Sequence, residues 1–154
     1  EAERAYADAL ALAEVLDDPA EMMTLGSNLG NTMWRRGDPA ALAIVDGAML
    51  AAQRLGDRID SLSMLSLLMT RGAIRWRLGR MGAALQDLRT VVERLTGALA
   101  SGWRTSARAH LANLLTELGA PEQALAVLGE RETPRQANWL AFELARANAR
   151  EVLG

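Results

Sequence analysis

Side chains that commonly carry out catalysis are scarce in this chain of 154 residues. It has no Cys nucleophile, and all seventeen basic residues are Arg, so no Lys can form a Schiff base or a phosphate-binding loop. The single imidazole, His110, has no second His with which to build a metal site, and we expect it to be structural. Carboxylate pairs such as Asp17 with Asp18 lie at predicted helix ends, where they act as caps or solvated charge. The sequence therefore predicts a protein that is not an enzyme and uses no metal or cofactor.

Two Trp-Arg pairs, Trp34-Arg35 and Trp76-Arg77, recur 42 residues apart. An indole can stack on a planar or sugar ring, and the neighbouring guanidinium can hold an anion, so the recurrence indicates a binding surface. The competing interpretation is packing, in which each Trp fills a gap between helices and the Arg shields its ring from water. The sequence alone does not distinguish a binding surface from packing.

The charge balance and the absence of long apolar stretches limit the partners. A net charge of −2 argues against direct nucleic-acid contact, and the basic stretch formed by Arg71, Arg75, Arg77 and Arg80 is a weak signal beside the balancing carboxylates. No uncharged stretch reaches the roughly 20 residues that a membrane-spanning helix needs. Because no signal peptide is present either, we expect a cytoplasmic protein without membrane contact.

The composition and the positions of the Pro residues predict an all-α chain. Ala and Leu, both strong helix formers, supply 29 and 26 residues, while aromatic and β-branched residues are few. Each of the four Pro residues fits the first position of a helix, as in Asp18-Pro19 and Asp38-Pro39, where an Asp cap precedes it. Apolar residues recur every three or four positions. The predicted helices are 2–17, 20–36, 39–55, 58–78, 81–96, 102–118, 121–129 and 134–153.

The sequence repeats with a period of about 40 residues, since corresponding positions lie 42 and 40 residues apart. In each copy a small residue precedes a Gly by seven positions, and an Ala and then a large apolar residue follow. The small residue lets the partner helix approach closely, and the Gly ends the first helix in a tight turn. The three copies are Gly30, Gly37, Ala41 and Val45; Gly72, Gly79, Ala84 and Leu88; and Ala112, Gly119, Ala124 and Leu128.

This pattern resembles the tetratricopeptide repeat family over roughly residues 20–130. It departs from the family in having Met33, Arg75 and Leu115 where the first helix usually carries an aromatic residue, and in exceeding the usual period of about 34 residues. The longer repeats, rich in Ala, Leu and Arg, look like the sensor arms of large LuxR-type regulators of the signal-transduction ATPase class. The resemblance implies a right-handed α-solenoid of antiparallel helix hairpins, with the first helices lining a concave face.

The resemblance also implies one repeat domain over residues 1–154. Because Glu1 stands in place of an initiator Met, we expect this domain to be a segment of a longer protein. Its expected parts are the second helix of a preceding repeat at 1–18, repeats at 19–56, 57–100 and 101–131, and a terminal helix at 132–154. The terminal helix carries Trp139, Leu140, Phe142 and Leu144. It therefore either caps the stack or packs against missing repeats or a second copy, which would form a homodimer.

Carried over position by position, the family's concave surface implies a set of binding residues on three helices. The implied function is a sensor or interaction domain that binds a small effector or a protein or peptide partner, as part of a LuxR-type transcriptional regulator. A free-standing adaptor is the alternative, and an enzyme on an α-solenoid is a third class that the residue inventory disfavours. The implied contacts are Thr24, Ser27, Asn31, Trp34 and Arg35; Ser66, Met69, Ala73, Trp76 and Arg77; and Asn113 and Glu117.

Overall fold

The fold is all-α in a computed structural model that describes residues 1–58, 61–95, 101–129 and 139–153, which confirms the predicted class. Predicted helix ends agree with the observed ends to within three residues wherever both are described. The predicted start at 134 lies outside the described residues. The helices are α1 (Ala2–Val15), α2 (Pro19–Arg35), α3 (Ala41–Leu55), α4 (Ser61–Arg77), α5 (Met81–Arg94), α6 (Ser101–Glu117), α7 (Pro121–Leu128) and α8 (Trp139–Leu153), with a 3-10 turn at Gly56–Arg58.

Of the two predicted Asp caps, the one at Asp18 is confirmed and the one at Asp38 is wrong. Asp18 caps α2, and its Oδ1 atom accepts hydrogen bonds from the backbone N–H groups two and three residues later, at 3.0 and 3.2 Å. The prediction that Pro39 is the first residue of a helix is wrong, because α3 begins at Ala41. The Asp38 carboxylate accepts from the Ala40 N–H at 2.9 Å, so it holds a turn that comes before the helix.

The sequence period is also a period in backbone conformation and burial. Gly37, Gly79 and Gly119 each follow a first helix with a φ of +80°, +72° and +74°, a conformation that side chains other than Gly rarely adopt. The small residues of the first helices are buried, and the Ala and large apolar positions of the second helices are fully buried. The buried positions are Gly30, Gly72 and Ala112; Ala41, Ala84 and Ala124; and Val45, Leu88 and Leu128.

Contacts divide the chain into two compact units, Glu1–Gly79 and Arg80–Gly154, and the boundary falls between α4 and α5. In the first unit, α2 and α3 form an antiparallel hairpin whose spacing depends on two glycines. A Cβ at Gly26 would lie 3.0 Å from the Ala48 Cβ, and a Cβ at Gly30 would overlap the Val45 Cγ2 methyl. The close helix packing predicted for Gly30 is confirmed, and Gly26 lies at the same interface.

In the second unit, α6, α7 and α8 enclose Phe142 of α8, which is fully buried. The guanidinium carbons of Arg108 and Arg146 lie 5.6 and 5.2 Å from the centre of its ring. Arg108 Nε donates to the Val127 carbonyl at 2.6 Å, and Arg146 Nη2 donates to the Gly129 carbonyl at 2.7 Å. The two arginines therefore satisfy backbone carbonyls at the C-terminal end of α7, where helix-end dipoles favour cations.

The packing of Phe142 bears on the predicted terminal helix. Phe142 is one of four apolar residues expected to cap the stack or meet a second copy, and its side chain is fully buried within its own chain. Leu144, two residues further along α8, is 59% exposed. Dimerisation through this helix remains a prediction that now depends on residues other than Phe142.

Candidate functional site

The binding residues predicted on α2 form a partly exposed stripe on the first unit. Thr24, Asn31 and Arg35 are exposed, and Ser27 and Trp34 are half-buried. Their spacing places them on one side of the helix, as expected for positions three, seven, ten and eleven residues apart. The α2 stripe, as we call these five residues, is therefore accessible over most of its length.

The predicted binding residues of α4 differ more widely in their exposure to solvent. Arg77 is exposed, Ser66, Met69 and Trp76 are half-buried, and Ala73 is buried. The Ala73 side chain thus lies beneath the surface on which its neighbours stand. The remaining predicted residues belong to α6 in the second unit: Asn113, which is half-buried, and Glu117, which is exposed.

The structure brings the two Trp-Arg pairs to one end of the first unit. Trp34 and Arg35 are in the last turn of α2, and Trp76 and Arg77 are in the last turn of α4. The Arg77 Nη2 atom lies beside Gly37, 3.7 Å from the position that a Cβ would take there. The guanidinium of the second pair thus reaches the turn that directly follows the first pair.

The arginines of this region divide into paired and unpaired groups. Arg71 Nη1 and Arg75 Nη2, one helical turn apart on α4, lie 3.7 and 3.5 Å from the same Asp46 carboxylate oxygen on α3. Both side chains are mostly buried, so this part of the basic stretch joins α3 to α4. Among the described residues, Arg35 and Arg77 have no ion-pair partner, which leaves two cations available for an anionic group.

The Trp34 ring is held partly inside the first unit. Its Nε1 atom is buried and finds no hydrogen-bond acceptor among the described residues. A buried donor without an acceptor costs about 1–3 kcal/mol, because it has lost its hydrogen bond to water. The buried edge supports the packing interpretation for that part of the ring, while the rest of the side chain is partly exposed.

His110 lies half-buried on α6, and burial lowers its pKa from the ordinary value of 6.5. His110 therefore binds a proton less readily in the folded state than in the unfolded chain, so its contribution to stability falls as the pH drops below about 6.5. We expect the thermal midpoint to fall between pH 7.5 and pH 5.5 by more in the wild type than in a His110→Gln variant, which cannot titrate there. Circular dichroism melts at both pH values measure this difference, and equal falls in the two proteins would contradict it.

Two features were not found from the sequence. One is a cleft between α1 and α3 with Glu14 on its wall, and the other is the pair of guanidiniums over Phe142. The spacing of four residues between Phe142 and Arg146 was a usable signal for the second. Nothing in the sequence around Glu14 showed which residues would lie opposite it.

Within the described ranges, no three His, Cys, Asp or Glu side chains gather closely enough to hold a metal ion. In the same part of the chain, every helix is too short or too polar to cross a bilayer. In comparisons with known proteins, the chain matches no family model, no curated protein sequence and no solved structure.

Proposed function

We propose that this chain is a non-enzymatic interaction or sensor domain of the tetratricopeptide-like α-solenoid type. It binds a small effector or a protein or peptide partner on the surface formed by the α2 stripe and the end of α4. In the preferred form of the proposal it is a cytoplasmic sensor arm of a LuxR-type transcriptional regulator. The attached modules of that regulator, rather than this domain, would contact ATP and DNA.

The observation that carries the proposal is the approach of Arg77 to the turn that follows Trp34 and Arg35. The last turns of α2 and α4 therefore supply two Trp residues, and two Arg residues without an ion-pair partner among the described residues, at the same end of the first unit. Such a group can stack a planar ring and hold an anion at the same time. Packing explains a half-buried Trp with a neighbouring Arg that shields its ring. The proposal adds an anion-binding role for Arg35 and Arg77, which are exposed and have no ion-pair partner among the described residues.

The test is a search for ligands of the wild-type chain followed by removal of the two rings. Sugars, nucleotides, short peptides and pathway metabolites are screened by thermal shift, because a ligand that binds only the folded state raises the melting temperature. We expect a hit that disappears in the Trp34→Ala/Trp76→Ala variant while the helical circular dichroism is retained. Unchanged affinity in that variant would refute the proposed surface.

Because both Trp residues are half-buried, the double Ala variant can lose stability for reasons unrelated to binding. The Arg35→Ala/Arg77→Ala variant avoids this difficulty, since both side chains are exposed. We expect it to fold like the wild type and to lose affinity for any anionic hit. Arg94→Ala, an exposed Arg in the last turn of α5, is the matched control and should bind normally.

The adaptor alternative differs in the modules that surround the domain. A reading frame that encodes a nucleotide-binding loop and a DNA-binding module beside this domain supports the regulator. A frame without a nucleotide-binding loop removes the regulator and favours the adaptor. Neither result changes the expected effect of the Trp and Arg variants.

A further inference from the structure

A cleft of about 100 Å³ lies between α1 and α3 in the first unit. Leu10 and Glu14 of α1 form one wall, Ile44 and Gly47 of α3 contribute to the other, and Met22 of α2 lies at the base. The two wall helices both pack on α2, and their backbones do not contact each other. Beyond Glu14, an ion pair of 2.7 Å between Asp17 and Arg54 joins the ends of the two walls. We call this feature the α1–α3 cleft.

Gly47 keeps the α1–α3 cleft open without serving any packing purpose. A Cβ at Gly26 or Gly30 would press on α3, but a Cβ at Gly47 would meet no atom within 4 Å. Gly47 is also inside a regular helix, where Gly is less stable than Ala by roughly 0.5–1 kcal/mol. The backbone therefore does not require a Gly at this position, and its one structural effect is to leave space in the wall.

Among the described residues that line the cleft, the one charged side chain is that of Glu14. It has no ion-pair partner among the described residues, whereas the nearby carboxylates of Glu3, Asp8 and Asp17 pair with arginines. Residues 1–21 contain seven acidic side chains and one basic side chain. An apolar space with an unpaired carboxylate at its edge is complementary to a group that is apolar at one end and cationic at the other.

The volume decides between a small molecule and a macromolecular partner. Pockets that enclose small-molecule ligands measure about 300–1,000 Å³, several times this cleft. A space of about 100 Å³ accommodates a single large side chain, which is how an interface anchor fits into its partner. Leu50, one turn beyond Gly47 on α3 and 63% exposed, extends the apolar surface on which such a partner could lie.

We propose that the α1–α3 cleft binds a basic amphipathic segment of a partner protein, with one aliphatic side chain beside Gly47 and an Arg or Lys paired with Glu14. The cleft is on the other side of α2 from the α2 stripe, because positions 22 and 26, which line it, lie on the helix face away from Ser27 and Asn31. This second surface therefore does not depend on the function proposed above.

The probe is a fluorescein-labelled helical peptide of fifteen residues built from Leu, Lys and Ala, and binding to the whole chain is followed by anisotropy. A peptide with Glu in place of Lys tests charge complementarity and should not bind. Gly47→Leu adds a side chain to the cleft wall at a position where a Cβ meets no atom within 4 Å, and it should weaken binding by about thirtyfold, the effect of losing an interface anchor. Glu14→Gln should weaken it by about fivefold, as for one partly exposed ion pair.

Three matched variants distinguish binding in the cleft from non-specific binding of the peptide. Gly82→Leu makes the same change at another helical Gly with open space around it, and Glu122→Gln removes an exposed carboxylate on α7. Both should bind the peptide like the wild type, as should the Trp34→Ala/Trp76→Ala variant if it folds. No binding by the Leu-Lys-Ala peptide, normal binding by Gly47→Leu, or equal losses in Glu14→Gln and Glu122→Gln would each overturn the proposal. Self-association that Gly47→Leu abolishes in sedimentation would also overturn it, because a second copy would then be the occupant.

Discussion

Replacing Phe142 with Ala is expected to lower the free energy of unfolding by about 3–5 kcal/mol, the usual cost of removing a buried aromatic side chain. The ring is fully buried among α6, α7 and α8, so its loss leaves a cavity that the rigid helices fill poorly. It also removes the surface on which Arg108 and Arg146 lie. Chemical denaturation followed by circular dichroism measures the change.

Two further variants identify the source of that loss. Phe142→Leu keeps most of the apolar volume and removes the aromatic face, so we expect a loss of about 1–2 kcal/mol from the two cation–π contacts together with the changed shape of the buried side chain. Leu144→Ala changes an exposed apolar residue on the same helix and should stay within about 0.5 kcal/mol of the wild type. If Phe142→Ala and Leu144→Ala cost the same, the buried position of the ring is wrong.

The same substitution at two glycines of the first unit is expected to give opposite results. Gly30→Leu should lower the free energy of unfolding by about 3 kcal/mol, because even its Cβ would overlap a Val45 methyl and the helices must separate. Gly47→Leu should raise it by up to about 1 kcal/mol, because the new Cβ meets open space and Leu favours the helix more than Gly. Denaturation of the two purified variants compares them directly.

A double-mutant cycle tests the cause of the Gly30 effect. Gly30→Ala should cost less in a Val45→Ala background than in the wild type, because the methyl that the new Cβ would overlap has gone. Val45 is stiff at χ1 within a helix and cannot easily turn its methyl aside. Additive effects of the two substitutions would show that the contact does not limit the approach of α2 and α3.

The parts of the fold that depend on one residue's own backbone were predictable from the sequence. Gly37 and Gly119 have the positive φ that a helix-ending turn needs, and Asp18 has the side chain that caps a helix start. Pro39 was misleading, because Asp38 with a following Pro stabilises either a helix start or a separate turn. Local preferences do not distinguish the two.

The candidate site was predictable only as a set of recurring types. The repeat placed Trp34 and Trp76 in equivalent positions, but it could not show that Arg77 reaches the turn at Gly37. Likewise, the basic stretch did not show that Arg71 and Arg75 are bound to a carboxylate on another helix. Contacts of this kind depend on which residues of other helices the packing brings close to a side chain. The residues next to it in the sequence do not indicate these contacts.

The two arginines at the end of α7 have a consequence for the order in which the chain folds. α7 has eight residues, and a helix of that length is marginal in water because too few hydrogen bonds follow its costly first turn. The carbonyls at its C-terminal end accept hydrogen bonds from Arg108 of the preceding helix and Arg146 of the following one. We therefore expect the short helix to reach its final form only when the helices before and after it in the chain have come together.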